Sequence, residues 1–195
     1  QAMREAQVSQ AIALFERAKD RDPNYALAWA GLAEAWWYVA AVGFEFVDPA
    51  DVRERAIAAA EKALALDGTL ADAHKARATI ALDGEWDVAK AEQHFQMAIA
   101  LRPGYAAAHT FYGQMLGGEP LSRPEEARRH IDRARELEPL SPWNDTNLVA
   151  SWLWQGPPGP ERALEYAGRA RRLSPRNWTL PWLMGFARLR LGQPS

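Results

Sequence analysis

The sequence predicts an all-α protein, a solenoid of helix-turn-helix hairpins with about ten helices in 195 residues. Five segments of similar pattern end at Pro23, Gly68, Pro103, Pro139 and Pro175, and they superpose without gaps. These ends are 45, 35, 36 and 36 residues apart, and a period of about 20 to 50 residues is typical of stacked repeats. Within each segment, small and larger apolar residues recur at helical spacing.

Each of the five segments is predicted to be the second helix of a repeat. In residues 69–103 the pattern consists of Ala91, Phe95 and Ala98, whose spacings of four and three place them on one helix face. Alanine on that face allows a neighbouring helix to come close, and phenylalanine fills the space beside it. Proline then ends the helix because it has no N–H group, and Gly68 is expected to end one as a C-cap.

The residues after each stop are predicted to form the first helix of the next repeat. In NYALAWAGLAEAW, residues 24–36, a stripe of apolar residues recurs at spacings of three, one and three: Trp29, Leu32, Ala33 and Trp36. The tryptophans of this stripe are expected to belong to the core, and so is Trp152 in a later repeat.

Capping chemistry predicts two helix starts. Asp48 precedes a proline. An Asp side chain accepts hydrogen bonds from the free N–H groups at a helix start, and proline is favoured at the first position of a helix. The stretch SRPE, Ser122 to Glu125, matches a capping box, in which the two side chains satisfy each other's backbone N–H groups. We therefore expect one helix to begin after Asp48 and another after Ser122.

This pattern resembles the tetratricopeptide repeat (TPR) family. In that family the first helix carries a large residue, a Leu-Gly-like pair and an aromatic residue, and the second carries Ala, Phe, Ala and Pro. The resemblance covers nearly the whole chain and implies a right-handed α-solenoid. Two features depart from it: Arg77 stands where an apolar residue is usual, and AAVGFEFVDPADV, residues 40–52, makes a longer connection.

The whole chain, residues 1–195, is expected to be a single TPR domain. It comprises a half repeat, four full repeats and another half repeat: residues 1–23, about 24–68, 69–103, 104–139 and 140–175, and 176–195. The first helix, about residues 3–20, and the last, about 177–190, each lack a partner helix. Because a repeat helix cannot bury its apolar face alone, we expect an excised domain of a longer chain; the alternative is that the last helix is a natural cap.

A finer resemblance rests on two stretches, LDGEWDVAKAEQHFQMAIALRPGYAAAH and EEARRHIDRARELEPLSP. They look like the TPR arrays of bacterial signalling proteins, such as adenylate cyclase-like proteins and winged-helix transcriptional regulators. We expect a non-enzymatic scaffold that binds a partner protein or peptide, and the absence of cysteine fits a cytoplasmic location. The alternative is a regulatory or dimerisation domain of a larger bacterial enzyme or regulator, and its location is then cytoplasmic or periplasmic. A third interpretation is a homo-oligomer that stacks through open solenoid ends.

Composition argues against several function classes. The net charge of −2 would not attract nucleic acid or an anionic membrane, and no apolar run approaches the ~20 residues of a bilayer span. The chain has no cysteine for a thiolate nucleophile or ligand. We expect no catalytic residue, metal or cofactor, because phosphate-binding loops and metal-ligand spacings are absent. The four histidines are expected to be structural: His74, His94, His109 and His130.

The TPR resemblance also implies a binding surface. In such arrays the first helices line a concave face, and partner contacts fall about one, four and eight residues after each helix start. Transferred to this sequence, the template predicts a groove for an extended or helical peptide, with aromatic anchors toward the C-terminal half. The predicted contact residues are Glu34, Trp37, Lys75, Thr79, Thr110, Gln114, Trp143, Thr146, Asn147, Trp182 and Phe186. Only Lys75 matches the residues with which TPR cochaperones hold a C-terminal carboxylate, so we expect no chaperone-tail receptor.

Overall fold

The computed structural model describes residues 2–42, 48–118, 121–153, 158–177 and 179–193, which form ten helices and no strand. In chain order the helices are α1 (Ala2–Arg21), α2 (Ala26–Val42), α3 (Pro49–Leu66), α4 (Ala71–Gly84), α5 (Val88–Leu101), α6 (Ala106–Gly117), α7 (Pro124–Leu137), α8 (Pro142–Leu153), α9 (Gly159–Leu173) and α10 (Thr179–Arg190). Even-numbered helices are the predicted first helices, here called first-type, and odd-numbered helices are second-type. The longer connection predicted between α2 and α3 has its centre, residues 43–47, outside the described residues.

The helices form two compact units. Unit 1, Gln1–Pro103, contains α1 to α5, and unit 2, Gly104–Ser195, contains α6 to α10. In unit 1, α2 packs on α3 and α4 packs on α5. In unit 2, α6 packs on α7, α8 packs on α9, and α10 contacts both α8 and α9. Four hairpins of packed consecutive helices follow one another within the units: α2–α3, α4–α5, α6–α7 and α8–α9. Each contains one first-type and one second-type helix.

The helix faces predicted to pack are buried. The twelve pattern residues of α3, α5, α7 and α9 are at most 1% exposed: Ala56, Ala60, Ala63, Ala91, Phe95, Ala98, Ala127, Ile131, Ala134, Ala163, Ala167 and Ala170. In unit 2 the helices come so close that a Cβ added at Gly113 would lie 2.6 Å from Ile131 Cγ1. The same atom would lie 2.9 Å from the carbonyl oxygen of Ala127, so a larger residue requires the backbone to move.

The three tryptophans predicted to be core lie at the border of the core. Trp29 and Trp36 pack against the core of unit 1 and Trp152 against the core of unit 2, each with part of its surface exposed. The guanidinium of Arg55 lies 5.1 Å from the Trp36 ring centroid, and that of Arg128 lies 4.3 Å from the Trp152 centroid. Both are cation–π contacts, in which the positive charge is attracted by the electrons of the tryptophan ring.

One predicted cap is confirmed and one is shifted by a residue. Asp48 is the N-cap of α3, and its carboxylate accepts the Ala50 N–H at 2.9 Å. At the other end of α3 the C-cap is Asp67 rather than Gly68, and its N–H donates to the Ala63 carbonyl at 2.9 Å. The extended backbone of Asp67, with φ −146° and ψ 96°, ends this helix one residue before the glycine.

The capping box predicted at Ser122 is wrong. α7 begins at Pro124 after the N-cap Arg123, whose side chain makes no capping hydrogen bond. Ser122 has a left-handed φ of 46°, and its N–H donates to the Gly118 carbonyl at 2.9 Å. An N-cap residue needs an extended backbone to aim its side chain at the first turn, so Ser122 closes the preceding turn instead.

Arg77, the departure from the repeat pattern, is buried between carboxylates. Its side chain is 2% exposed, and its Nε donates to the Glu61 carboxylate at 2.6 Å. Its Nη2 donates to both oxygens of Glu85 at 2.9 and 3.0 Å, and Lys90 lies 3.2 Å from the same carboxylate. Burial acts to raise the pKa of the Glu85 carboxyl, but hydrogen bonds from Lys90 and Arg77 bring it below its usual value. Charge pairing therefore replaces apolar packing at this position.

We expect these ion pairs to satisfy a buried charge rather than to add net stability. The Glu61→Gln, Glu85→Gln double variant leaves the Arg77 guanidinium without a carboxylate, which should cost about 3–5 kcal/mol. Arg77→Met removes the charge and keeps apolar volume, so the free energy of unfolding should fall by less than about 1 kcal/mol. Urea unfolding measures both changes, and equal losses in the two variants would contradict this assignment.

Candidate functional site

Side-chain hydrogen bonds join the first-type helices α6 and α8 of unit 2. The Gln114 amide nitrogen donates to Asn147 Oδ1 at 2.7 Å, and the Thr110 hydroxyl donates to Asn144 Oδ1 at 2.7 Å. Asn147 in turn donates to the Trp143 carbonyl at 2.9 Å. Four of these residues are predicted contact residues, and the structure brings them together; Asn144 is an addition.

The hydrogen bonds continue from α8 to α10. Asn177 Nδ2 donates to Thr146 Oγ1 at 3.1 Å, and the Thr146 hydroxyl donates to the Pro142 carbonyl at 2.7 Å. Asn177 Oδ1 accepts the Thr179 N–H at 3.0 Å at the start of α10. The sequence analysis missed Asn177, although an Asn before a helix start is a capping signal. We call this set the amide row: Thr110, Gln114, Asn144, Thr146, Asn147 and Asn177.

Three predicted contact residues of unit 2 present aromatic surface. Trp143 on α8 is 52% exposed, and Trp182 on α10 is 59% exposed. The Trp182 ring packs edge-to-face on the partly exposed Phe186, with centroids 4.7 Å apart and planes at 62°. We call Trp143, Trp182 and Phe186 the aromatic face. A cavity of about 290 Å³, with Gln114 and Asn147 in its lining, opens among α6, α7 and α8.

Other predicted contact residues are buried. Thr79 is 1% exposed and Thr110 is 3% exposed, while Lys75, Thr146 and Asn147 are between 5 and 9% exposed. The Thr79 hydroxyl donates to a carbonyl of its own helix at 2.9 Å. Among the predicted contact residues, only the more exposed ones are accessible to another molecule.

In unit 1 the predicted contact residues Glu34 and Trp37 line a groove between α1 and α2. The groove has a volume of about 430 Å³, and apolar side chains such as Val8 and Phe15 supply most of its other lining. The Glu34 carboxylate also forms an ion pair with Lys75 of α4, with 3.1 Å between Oε1 and Nζ. Unit 1 thus offers an apolar groove with one carboxylate in its lining.

The histidines form two pairs. In unit 1, His74 Nδ1 lies 3.0 Å from His94 Nδ1, and His74 Nε2 lies 3.0 Å from the Gly68 carbonyl. Because a carbonyl only accepts, His74 carries its proton on Nε2, and its Nδ1 accepts the Nδ1–H of His94. In unit 2, His109 and His130 are joined in the same way at 2.9 Å. Sequence reasoning placed these residues at equivalent repeat positions but did not pair them.

Both pairs favour the uncharged imidazole on the second-type helix. Burial, and then the neighbouring imidazole, lower the pKa of His94 to about 4 and that of His130 to about 4. Nearby charges have smaller effects on these pKa values. Near His94, Arg77 and Lys90 lower the pKa and Glu61 raises it. Near His130, Arg129 lowers the pKa and Glu126 raises it. The uncharged His94 and His130 therefore each join a second-type helix to a histidine of a first-type helix.

Two kinds of site are not found among the residues that the structure describes. No three His, Cys, Asp or Glu side chains come together there to hold a metal ion, and zinc takes three or four protein ligands. In the same part of the chain, no helix combines the length and the apolar character that crossing a bilayer requires.

Comparison with known proteins identifies a fold but no family. No model of a protein family matches the sequence, and no curated protein matches it. A thermophilic TPR protein of Thermus thermophilus is 19% identical, with a TM-score of 0.73 over 97% of this chain and 94% of its own. PilW, a type IV pilus biogenesis factor, is 20% identical, with a TM-score of 0.76 over 97% and 81%. YrrB, a TPR protein with an unusual peptide-binding site, is 19% identical, with a TM-score of 0.60 over 92% and 84%.

These likenesses show that the chain has the TPR fold, an α-solenoid of helix hairpins. The fold class predicted from the repeats is confirmed by them. At this level of identity they show backbone architecture only. The finer resemblance to bacterial signalling proteins stays a prediction.

We expect the histidine pairs to lower stability in mild acid. Folding lowers each pKa from 6.5 to about 4, so the unfolded chain binds protons first, and stability is lost as the pH falls from about 6.5 toward 4. Partial solvent exposure reduces the loss to roughly 1 kcal/mol per pair by about pH 5. Urea unfolding across this range should show a weaker pH dependence in the His94→Gln, His130→Gln variant. An unchanged dependence would contradict the assignment.

Proposed function

We propose that the chain is a non-enzymatic scaffold for protein–protein interaction that binds an extended or helical segment of a partner on its first-type helices. The observation that carries this proposal is the aromatic face. Trp143 and Trp182 are more than half exposed on helices whose relative positions the amide row fixes. Large aromatic side chains on a rigid surface are the anchors that dominate binding energy at protein interfaces.

The geometry of unit 2 favours affinity because little ordering is needed on binding. Trp182 is already packed against Phe186, which restricts its ring before a partner arrives. An aromatic side chain buries about 150–250 Å² when it is covered, and pre-ordered anchors lose little entropy. Gln114 and Asn147, which join α6 to α8, hold the backbone that carries Trp143.

Unit 1 contributes a second contact surface to the proposal. The groove between α1 and α2 has a volume within the range of about 300–1,000 Å³ that is typical of binding pockets. Its apolar walls suit an apolar partner side chain, and the Glu34 carboxylate, which is paired with Lys75, lies in the same lining. We therefore include Glu34 and Trp37 among the proposed contact residues.

Proteins of the same fold support a binding role. YrrB has a peptide-binding site, and PilW serves in the biogenesis of type IV pili. The proposal includes a partner protein or peptide, no nucleic acid, no cofactor and no catalytic residue. It also includes a bacterial source and a cytoplasmic location, or a periplasmic one in a membrane-anchored regulator. A regulatory or dimerisation role in a larger signalling protein is supported only by the two resembling stretches.

A selection of binding peptides tests this function. Peptides are selected from a random library on the wild-type chain, and their affinities are then measured for the Trp143→Ala, Trp182→Ala double variant. We expect the variant to bind them at least about tenfold more weakly, because each lost anchor is worth about 2 kcal/mol.

The matched control is Leu14→Ala, which removes an apolar side chain that is 53% exposed on α1. Circular dichroism establishes that all variants remain folded. Selected peptides that bind the double variant and the wild type equally would refute the aromatic face as the binding surface.

A further inference from the structure

Unit 1 contains a cavity of about 190 Å³ where α2, α3 and α4 meet. Two indoles and two charged side chains contribute to its lining: Trp37, Arg53, Asp83 and Trp86. Ala56 and Ile80, each 1% exposed, form the buried part of the lining. The cavity therefore combines an apolar interior with aromatic rings and a carboxylate, and the peptide-binding role does not explain this combination.

Trp86 adopts a backbone conformation that is unfavourable for tryptophan. It follows Glu85, the C-cap of α4, with a φ of 58°, in the left-handed region where helices usually end with glycine. The Glu85 N–H donates to the Ile80 carbonyl at 3.2 Å and the Asp87 N–H donates to the Ala81 carbonyl at 2.9 Å, and these bonds hold the turn.

Packing within the chain does not compensate for this strain. Trp86 is 85% exposed, so its ring gains little from burial in the free protein. The left-handed backbone belongs to the turn, because Ser122 at the equivalent position of a hairpin in unit 2 has a φ of 46° as well. The turn does not explain why a large, exposed ring stands there, since small residues suit this conformation best. A tryptophan at a glycine position, with its ring at the cavity, indicates a ring that is kept for an external ligand.

Asp83 brings a carboxylate without a counter-ion to the same cavity. Partial burial raises the pKa of this carboxyl, and the nearby Trp37 indole opposes the shift by a smaller amount. Asp83 has no ion pair among the described residues. Arg53 lines the cavity too, but its guanidinium donates to the Gly84 carbonyl at 3.3 Å. A partly desolvated carboxylate is stabilised when a cation binds beside it.

We propose that this cavity binds a small organic cation, a methylated ammonium or a guanidinium head group carried by a ligand or a partner side chain. Trp37 and Trp86 line the cavity, and an indole ring attracts a cation through its quadrupole more strongly than the other aromatic rings do. Asp83 supplies the opposite charge. The cavity is below the about 300 Å³ at which pockets for whole drug-sized ligands begin, so it holds a head group only.

Nuclear magnetic resonance of the whole chain tests this site. Tetramethylammonium and methylguanidinium are the two cationic probes, and tert-butanol is a neutral probe of similar size. We expect at least one cation, and not tert-butanol, to shift the indole N–H resonances of Trp37 and Trp86 in a saturable way. The cation that binds more tightly identifies the preferred head group. Absence of a saturable shift, or an equal shift with tert-butanol, would overturn the proposal.

Four variants separate recognition from structure. Asp83→Asn should weaken cation binding about tenfold, and Arg53→Gln should strengthen it because a like charge is removed. Trp86→Gly should abolish binding yet raise Tm, because glycine relieves the left-handed strain. Trp182→Ala, an exposed tryptophan of unit 2, should bind the cation like the wild type, which keeps this test independent of the aromatic face. Wild-type affinity in Trp86→Gly and Asp83→Asn would refute the cation site.

Discussion

The close approach of paired helices is the constraint on which the rest of this structure depends. Alanine lies on the buried face of every second-type helix from α3 to α9, and Gly113 sits against Ile131 and the backbone of Ala127. Small residues at these points leave little freedom in how a first-type helix lies on its partner. The spacing between the first-type helices of unit 2 is therefore fixed as well. At this spacing the side chains of the amide row reach one another, with hydrogen bonds of 2.7 to 3.1 Å.

Several buried polar groups among the described residues are paired with side chains of other elements. Arg77 is held by two carboxylates, His74 is held by His94, and the amides between first-type helices bind one another. Such matched groups favour one arrangement of the helices that carry them. Trp86 and Asp83 differ, because a large exposed ring on a left-handed backbone and a carboxylate without an ion pair among the described residues meet at one cavity of unit 1. Local rules are broken in this way where a protein binds something.

Repeat spacing predicts the fold well because it depends on local features. A proline stop and an Ala-Phe-Ala face need only one helix to be recognised. The helices were predicted correctly, and the predicted faces of α3, α5, α7 and α9 are buried, whereas the corresponding face of α1 is only partly buried. Pairing needs the geometry between helices, so the partners of Arg77 and of the histidines could not be read from one helix alone. Ser122 failed as a cap because its backbone angle is set by the turn before it. The TPR template gives positions along each first-type helix but not how far a side chain is buried, so the predicted contact residues included buried ones such as Thr79.

Two glycine substitutions test close helix packing directly. Gly113 and Gly185 each lie ten residues after the proline that ends a preceding repeat, but a Cβ at Gly185 would meet nothing within 4 Å. We predict that Gly113→Ala lowers the free energy of unfolding by about 1–3 kcal/mol through overpacking. Gly185→Ala should raise it by up to about 1 kcal/mol, because alanine is the better helix former. Stabilisation by both substitutions would contradict the claim that close approach of the helices governs this fold.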